Sequence, residues 1–239
     1  MSLVLASSRG GGVTNAATPQ TPHRKLVPVP ADLIHLVRHG EVFNPDHVLY
    51  GRIPGFGLSD LGKQMAKAAA DSKIGHPITR LYASPLQRTQ ESAAPWSSNF
   101  GLEIITDERI IEPWNLFEGT AGFGARVLRN PRLWPKLRNP FKPSWGEPYT
   151  SIAARMLAAI EDAWAATESG EVALVSHQLP IWTVHRELAG ERLFHDPRKR
   201  RCALSSITTL AKDGDRFVEV DYQDPAAALQ ASAVDLGAV

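Results

Sequence analysis

One stretch, Leu33-Ile34-His35-Leu36-Val37-Arg38-His39-Gly40-Glu41, constrains the fold more than any other: an apolar run ends abruptly at an Arg-His-Gly triplet. Leu33, Ile34, Leu36 and Val37 suit a strand buried on both faces, as in the parallel sheet of an α/β protein. Reactive groups in such sheets gather just beyond the carboxyl ends of the strands, where Arg38 and His39 fall. Gly40 permits a sharp turn and leaves a ligand room to approach. A cation beside an imidazole at such a place suits an anionic group attacked by a nitrogen nucleophile. A strand running into a polar turn reads the same way, so the rest of the chain has to decide.

The same pattern recurs downstream. After a Pro/Gly-marked loop over 42–57, which holds Asn44 and Arg52, Ser59 caps a helix with Leu61, Met65, Ala68 and Ala69 on its apolar positions. Residues 78–83 make a second strand ending at Ser84-Pro85. Pro85 suits the first turn of the next helix, which carries Arg88 early. Residues 103–106 are a short third strand, followed by a loop with Glu112 and Glu118. A long amphipathic helix spans 148–167, with Ile152, Met156, Leu157, Ile160 and Trp164 on its apolar face. A core strand over 171–175 then stops at Ser176-His177-Gln178. Residues 179–188 are helical, 205–210 and 216–220 form a hairpin turning at Asp213-Gly214, and the chain from 224 is a helical or frayed tail.

With 239 residues, the chain fits one large domain or a domain with an insertion. A net charge of +1 offers no global attraction to nucleic acid or membrane. The single cysteine, Cys202, excludes an internal disulfide framework and a multi-cysteine zinc site. Residues 1–30 are polar and Gly/Pro-rich and read as a flexible N-terminal segment. No apolar run approaches the roughly 20 residues needed to span a bilayer, and the apolar start lacks a basic lead, so a cytoplasmic protein is expected. Residues 119–146 differ: Arg126, Arg129, Arg132, Lys136, Arg138 and Lys142 alternate with Leu128, Leu133, Trp134 and Leu137. That segment reads as a solvated basic face or as a basic lid over an anionic-substrate pocket, with nucleic-acid binding the weaker alternative.

The ordered set Arg38-His39-Gly40-Glu41, Gly51-Arg52, Leu58-Ser59-x-x-Gly62, Ser84-Pro85-Leu86-x-Arg88-Thr89-x-x-Ser92-Ala93, Glu112, Glu118-Gly119 and Val175-Ser176-His177 resembles the histidine phosphatase superfamily, the phosphoglycerate mutase-like proteins. The resemblance covers about residues 33–188. It implies a three-layer α/β/α fold with a mostly parallel central sheet, one domain over 31–224 with the basic lid inserted at about 119–146, and a C-terminal tail over 225–239. It implies His39 as a neutral nucleophile that forms a phosphohistidine. Arg38 and Arg88 would hold the phosphoryl oxygens. His177 would be the second pocket histidine, donating as a cation, and Glu112 the proton donor and later the base. Asn44 and Arg52 are carried over as further phosphate ligands. Burial and phosphate would raise the Glu112 pKa and the arginines lower it. No metal and no cofactor are expected, because guanidinium groups supply the positive charge.

The chain departs from the family pattern at two places. Position 45, where many members carry asparagine, is proline, with Asn44 one residue earlier; and Pro113-Trp114-Asn115-Leu116-Phe117 separates the two glutamates, making Asn115 a further pocket candidate. The absence of a Glu-Arg-His-Tyr-Gly run after the proton donor favours a histidine acid-type phosphatase acting on a small phosphorylated metabolite over a phosphoglycerate mutase. A non-catalytic binding protein using Arg198-Lys199-Arg200-Arg201 is the third reading. Expected partners are the small phosphorylated substrate, no nucleic acid and no membrane, with a homodimer as the assembly to consider. His35 and His185 read as structural; His47 and His195 lie in polar loops.

Overall fold

The apolar runs become the strands of one sheet. The computed structural model describes residues 31–120 and 146–235. Its elements are β1 (Leu33–Arg38), α1 (Asp60–Asp71), β2 (Ile78–Ala83), α2 (Gln87–Phe100), β3 (Ile104–Thr106), α3 (Tyr149–Ala165), β4 (Glu171–Ser176), α4 (Gln178–Leu188), β5 (Ile207–Asp213), β6 (Arg216–Gln223) and α5 (Ala227–Gln230). The strand order is β3-β2-β4-β1-β5-β6. The first four run parallel; β5 lies antiparallel on β1, and β6 antiparallel on β5. This is the mostly parallel α/β sheet expected.

Alternation along β1 and β4 builds the three layers. Ile34 and Leu36 of β1 and Val172 and Leu174 of β4 pack with Ile152, Met156 and Ile160 of α3 and Leu179 and Val184 of α4. Val37, Ala173 and Val175 point the other way, against Ala69 and Ala70 of α1 and Ala93 and Trp96 of α2. A strand covered on both faces has no polar side to show, which explains the unbroken apolar runs. His35 is the exception and is satisfied internally, by Glu171 at 2.7 Å and Thr209 at 3.0 Å.

Some local expectations shift. Ser59 caps α1 by accepting from the Gly62 amide, as expected. Pro85, however, precedes α2 instead of starting it, with Leu86 as N-cap. The Ser84 amide still bonds Val175 O at 3.0 Å, so Pro85 and Leu86 are consumed in leaving the strand. The hairpin turns at Gly214-Asp215, one residue later than expected, because Asp213 still pairs with Arg216. The C-terminal segment docks: Ala226, Leu229 and Ala233 pack against Met65, Leu204 and Leu61. The N-terminal segment and the basic lid, apart from its flanks at Gly119, Thr120 and Gly146, lie outside the described residues. Among the described residues no helix is long and apolar enough to cross a membrane.

Candidate active site

Three neighbouring strands end at one place. Arg38 closes β1; the amide of His39 bonds Ser176 O at 3.1 Å, binding the end of β1 to the end of β4. His177 follows β4, Ser84 follows β2, and Arg88 stands in the first turn of α2. Ser176 Oγ donates to Ile110 O at 2.7 Å and so ties the loop carrying Glu112 to the same sheet edge. Gly40 is needed for close approach: a Cβ there would stand 2.3 Å from Gly62 O, and one on Gly62 would stand 2.0 Å from Glu41 O. Two glycines thus let the turn after β1 lie directly on the start of α1.

His39 is fixed by one bond. Its Nδ1 lies 2.8 Å from Gly40 O. A carbonyl can only accept, so Nδ1 carries the proton and Nε2 keeps its lone pair. Burial, and then Arg88 and Arg38, lower its pKa well below the ordinary histidine value, leaving the ring neutral. The His39 and His177 rings lie 5.2 Å apart.

His177 bonds Ser84 Oγ through Nε2 at 2.8 Å, and its Nδ1 lies 3.4 Å from Glu112 Oε2. Burial, and then Arg88, lower the pKa of His177 well below 6.5, so in this structure it is neutral rather than the cation expected. For Glu112, burial prevails over Arg88, Arg200, Arg38 and Arg155 and pushes the pKa up to about 7. Both carboxyl oxygens of Glu112, Nδ1 of His177 and Nε of Arg38 and of Arg88 are buried without a hydrogen-bond partner. Buried polar atoms are nearly always satisfied, so this set is built to receive a polar ligand.

The expected residues also have protein partners. Arg88 donates to Gly51 O at 2.8 Å and lies over the Tyr50 ring at 4.8 Å. Asn44 closes its own loop, donating to Val48 O at 2.8 Å and accepting from the Val48 amide at 3.1 Å. Arg52 donates to the backbone O of Glu112 at 2.5 Å and faces Glu147 at 3.5 Å. It therefore holds the glutamate loop in place. Asn115 is likewise used in its turn, accepting from the Phe117 amide at 2.9 Å. His185 pairs with Glu219 and stacks on Trp182, a structural place on the helix.

Sequence reasoning passed over two residues. Arg200 belongs to the run that the sequence offers only for a non-catalytic binding role, yet its Nη1 donates to Gln178 Oε1 at 3.2 Å and its Nε to His195 Nε2 at 2.9 Å, and its charge acts on Glu112. Its neighbours diverge: Arg198 pairs with Asp196, and Arg201 lies over Tyr222. Asp235 in the tail grips Arg38. No local signal marks either residue: Gln178 lies 22 positions from Arg200, and Arg38 lies 197 from Asp235.

His39, Glu112 and His177 each offer a ligand atom within 4.8 Å of one another, a set able to hold a metal ion. Arg38 and Arg88, both 1% exposed, put two fixed positive charges beside it, which favours an anion over a divalent cation.

The description of the histidine phosphatase superfamily (branch 1) matches residues 34–225, and the chain belongs to that superfamily. An uncharacterized protein of Mycobacterium tuberculosis is 53% identical over 195 residues, covering 81% of this chain and 96% of its own. The structure of the mycobacterial glucosyl-3-phosphoglycerate phosphatase superposes with a TM-score of 0.67 at 21% identity, over 81% of this chain and 98% of that one. A phosphoserine phosphatase of Entamoeba histolytica, solved with 3-phosphoglyceric acid, gives 0.66 at 21% identity, over 80% and 96%. At these identities the two structures speak for the fold.

Proposed function

We propose that the protein is a phosphomonoesterase that hydrolyses a small phosphorylated metabolite through a phosphohistidine on His39. The observation that carries this reading is the bond from His39 Nδ1 to Gly40 O, which leaves the Nε2 lone pair available on a ring whose pKa Arg88 and Arg38 help to lower. Nε2 attacks phosphorus while the bond to the leaving oxygen breaks. The Glu112 carboxyl, still protonated near neutral pH, gives its proton to that oxygen. Glu112 then takes a proton from water, whose oxygen attacks phosphorus and breaks the P–N bond, releasing phosphate and restoring neutral His39.

Arg38, Arg88 and His177 hold the phosphoryl oxygens and offset charge as the transition state forms. His177 enters neutral, and a bound dianion raises its pKa and lets it donate from both nitrogens. The substrate class fits the names of the two structural neighbours, both phosphatases of small phosphomonoesters.

Acid-quenched protein exposed to a labelled phosphomonoester should carry label on His39, and His39→Ala should release no phosphate. Label on another residue, or an active His39→Ala, defeats the reading.

A further inference from the structure

The C-terminal segment delivers a carboxylate to the arginine beside the nucleophile, and the geometry points to Asp235 as a positioning residue for phosphoryl binding. The inference rests on the reading of Arg38 as a phosphoryl ligand. It concerns a residue beyond the stretch matched to the superfamily, which stops at 225.

A guanidinium presents five N–H groups along three edges. In Arg38, Nη1 and Nη2 donate to Asp235 Oδ2 and Oδ1 at 2.7 and 2.6 Å, a two-point contact with the terminal edge. Nη1 also donates to Cys202 O at 2.7 Å. Nε is buried and has no partner. The edge formed by Nε and Nη2 is therefore the one turned to a ligand, and such an edge binds two oxygens of a phosphoryl group side-on. Asp235 takes the adjacent edge. It does not stand where the phosphoryl would stand; it fixes the plane in which Arg38 meets it.

The tail is anchored around this contact. The amide of Val234 donates to Glu41 Oε1 at 2.6 Å, and the other oxygen of Glu41 accepts the Ser59 hydroxyl. Upstream, Gln230 Nε2 donates to Leu204 O at 2.8 Å. Glu41 lies two residues after the nucleophile, so one short stretch both supplies the imidazole and holds the strap that steadies the arginine. Losing the carboxylate leaves Arg38 with Cys202 O alone, and the cost of orienting the guanidinium then falls on substrate binding.

The opposite role makes the opposite prediction: if Asp235 competed with the phosphoryl group, its removal would tighten binding. The test uses the full chain, with Asp235→Asn and Asp235→Glu. It measures KM and kcat on a phosphomonoester and the inhibition constant of orthovanadate, which reads the phosphoryl site without a leaving group. Asp235→Asn should raise both KM and the vanadate constant roughly tenfold. Asp235→Glu should recover most of the loss. Unchanged or tighter vanadate binding overturns the assignment, as does a loss that tracks lowered thermal stability and that Glu does not repair. Wild-type protein that neither hydrolyses a phosphomonoester nor binds vanadate overturns the phosphatase reading itself, and that result is visible before any variant is compared.

Discussion

Nδ1 of His177 stands 3.4 Å from Oε2 of Glu112, with both side chains shut away from solvent. Each member of the pair resists ionisation: burial lowers the histidine and raises the glutamate to about 7. Below neutrality they face each other as imidazole and carboxylic acid, not as an ion pair.

This arrangement sets the pH dependence. The donor form of Glu112 exists below its pKa and disappears above it, while His39 stays neutral down to well below 6.5. On an alkyl phosphate, whose leaving oxygen needs a proton, kcat/KM should fall as pH rises through about 7. Glu112→Gln should abolish that limb and lower the rate by ~100-fold or more. An activity still rising beyond neutrality would remove Glu112 from the donor role.

The same residue should cost stability. A carboxyl raised from 4.5 in the unfolded chain to about 7 in the folded one contributes stability that is present below the lower value and lost as pH rises through the upper. Glu112→Gln has no such loss. Above neutral pH it should be more stable than wild type by at most about 3 kcal/mol, and near pH 4 the difference should vanish. Denaturant unfolding at two pH values checks this; equal stability at alkaline pH contradicts it.

Arg200 pulls the Glu112 pKa down from a distance. Arg200→Gln should therefore move the alkaline limb of the pH profile upward while leaving the His39 label intact. A limb that stays put, or shifts down, removes Arg200 from the control of the Glu112 pKa.

Exhaustive chelation should leave activity unchanged, because Arg38 and Arg88 already supply positive charge where His39, Glu112 and His177 would hold an ion. Loss on chelation with recovery on adding zinc or magnesium would reverse that assignment.

The sequence carried the sheet and the strand-end residues in readable form, because a strand covered on both faces must be apolar until it ends. Arg38, His39, Arg88 and His177 follow from those endings. Part of what escaped depends on partners far away. Arg38 and Asp235 are 197 positions apart, so the docking of the tail has no local mark. Arg200 turns inward out of a run of four basic residues that looks uniform. Asn44 and Arg52 sit close to His39 in sequence, but loop closure claims the first and the Glu112 backbone claims the second. The ionisation of His177 depends on how deeply it is buried, which residue type alone does not fix.

The central place of β4 has a kinetic consequence. It pairs on one side with β1, joining Leu33 to Glu171, and on the other with β2. Until β4 is inserted, His39 has no Ser176 carbonyl to receive its amide and His177 is nowhere near it. Such pairings between distant strands form slowly, after the loop between them has been closed. In refolding, phosphatase activity should thus return with the slowest phase, while α1 and α2, close in sequence with only β2 between them, regain their helical signal first. A ribosome-bound chain that has emerged only as far as α3 would carry Arg38 and His39 and no site.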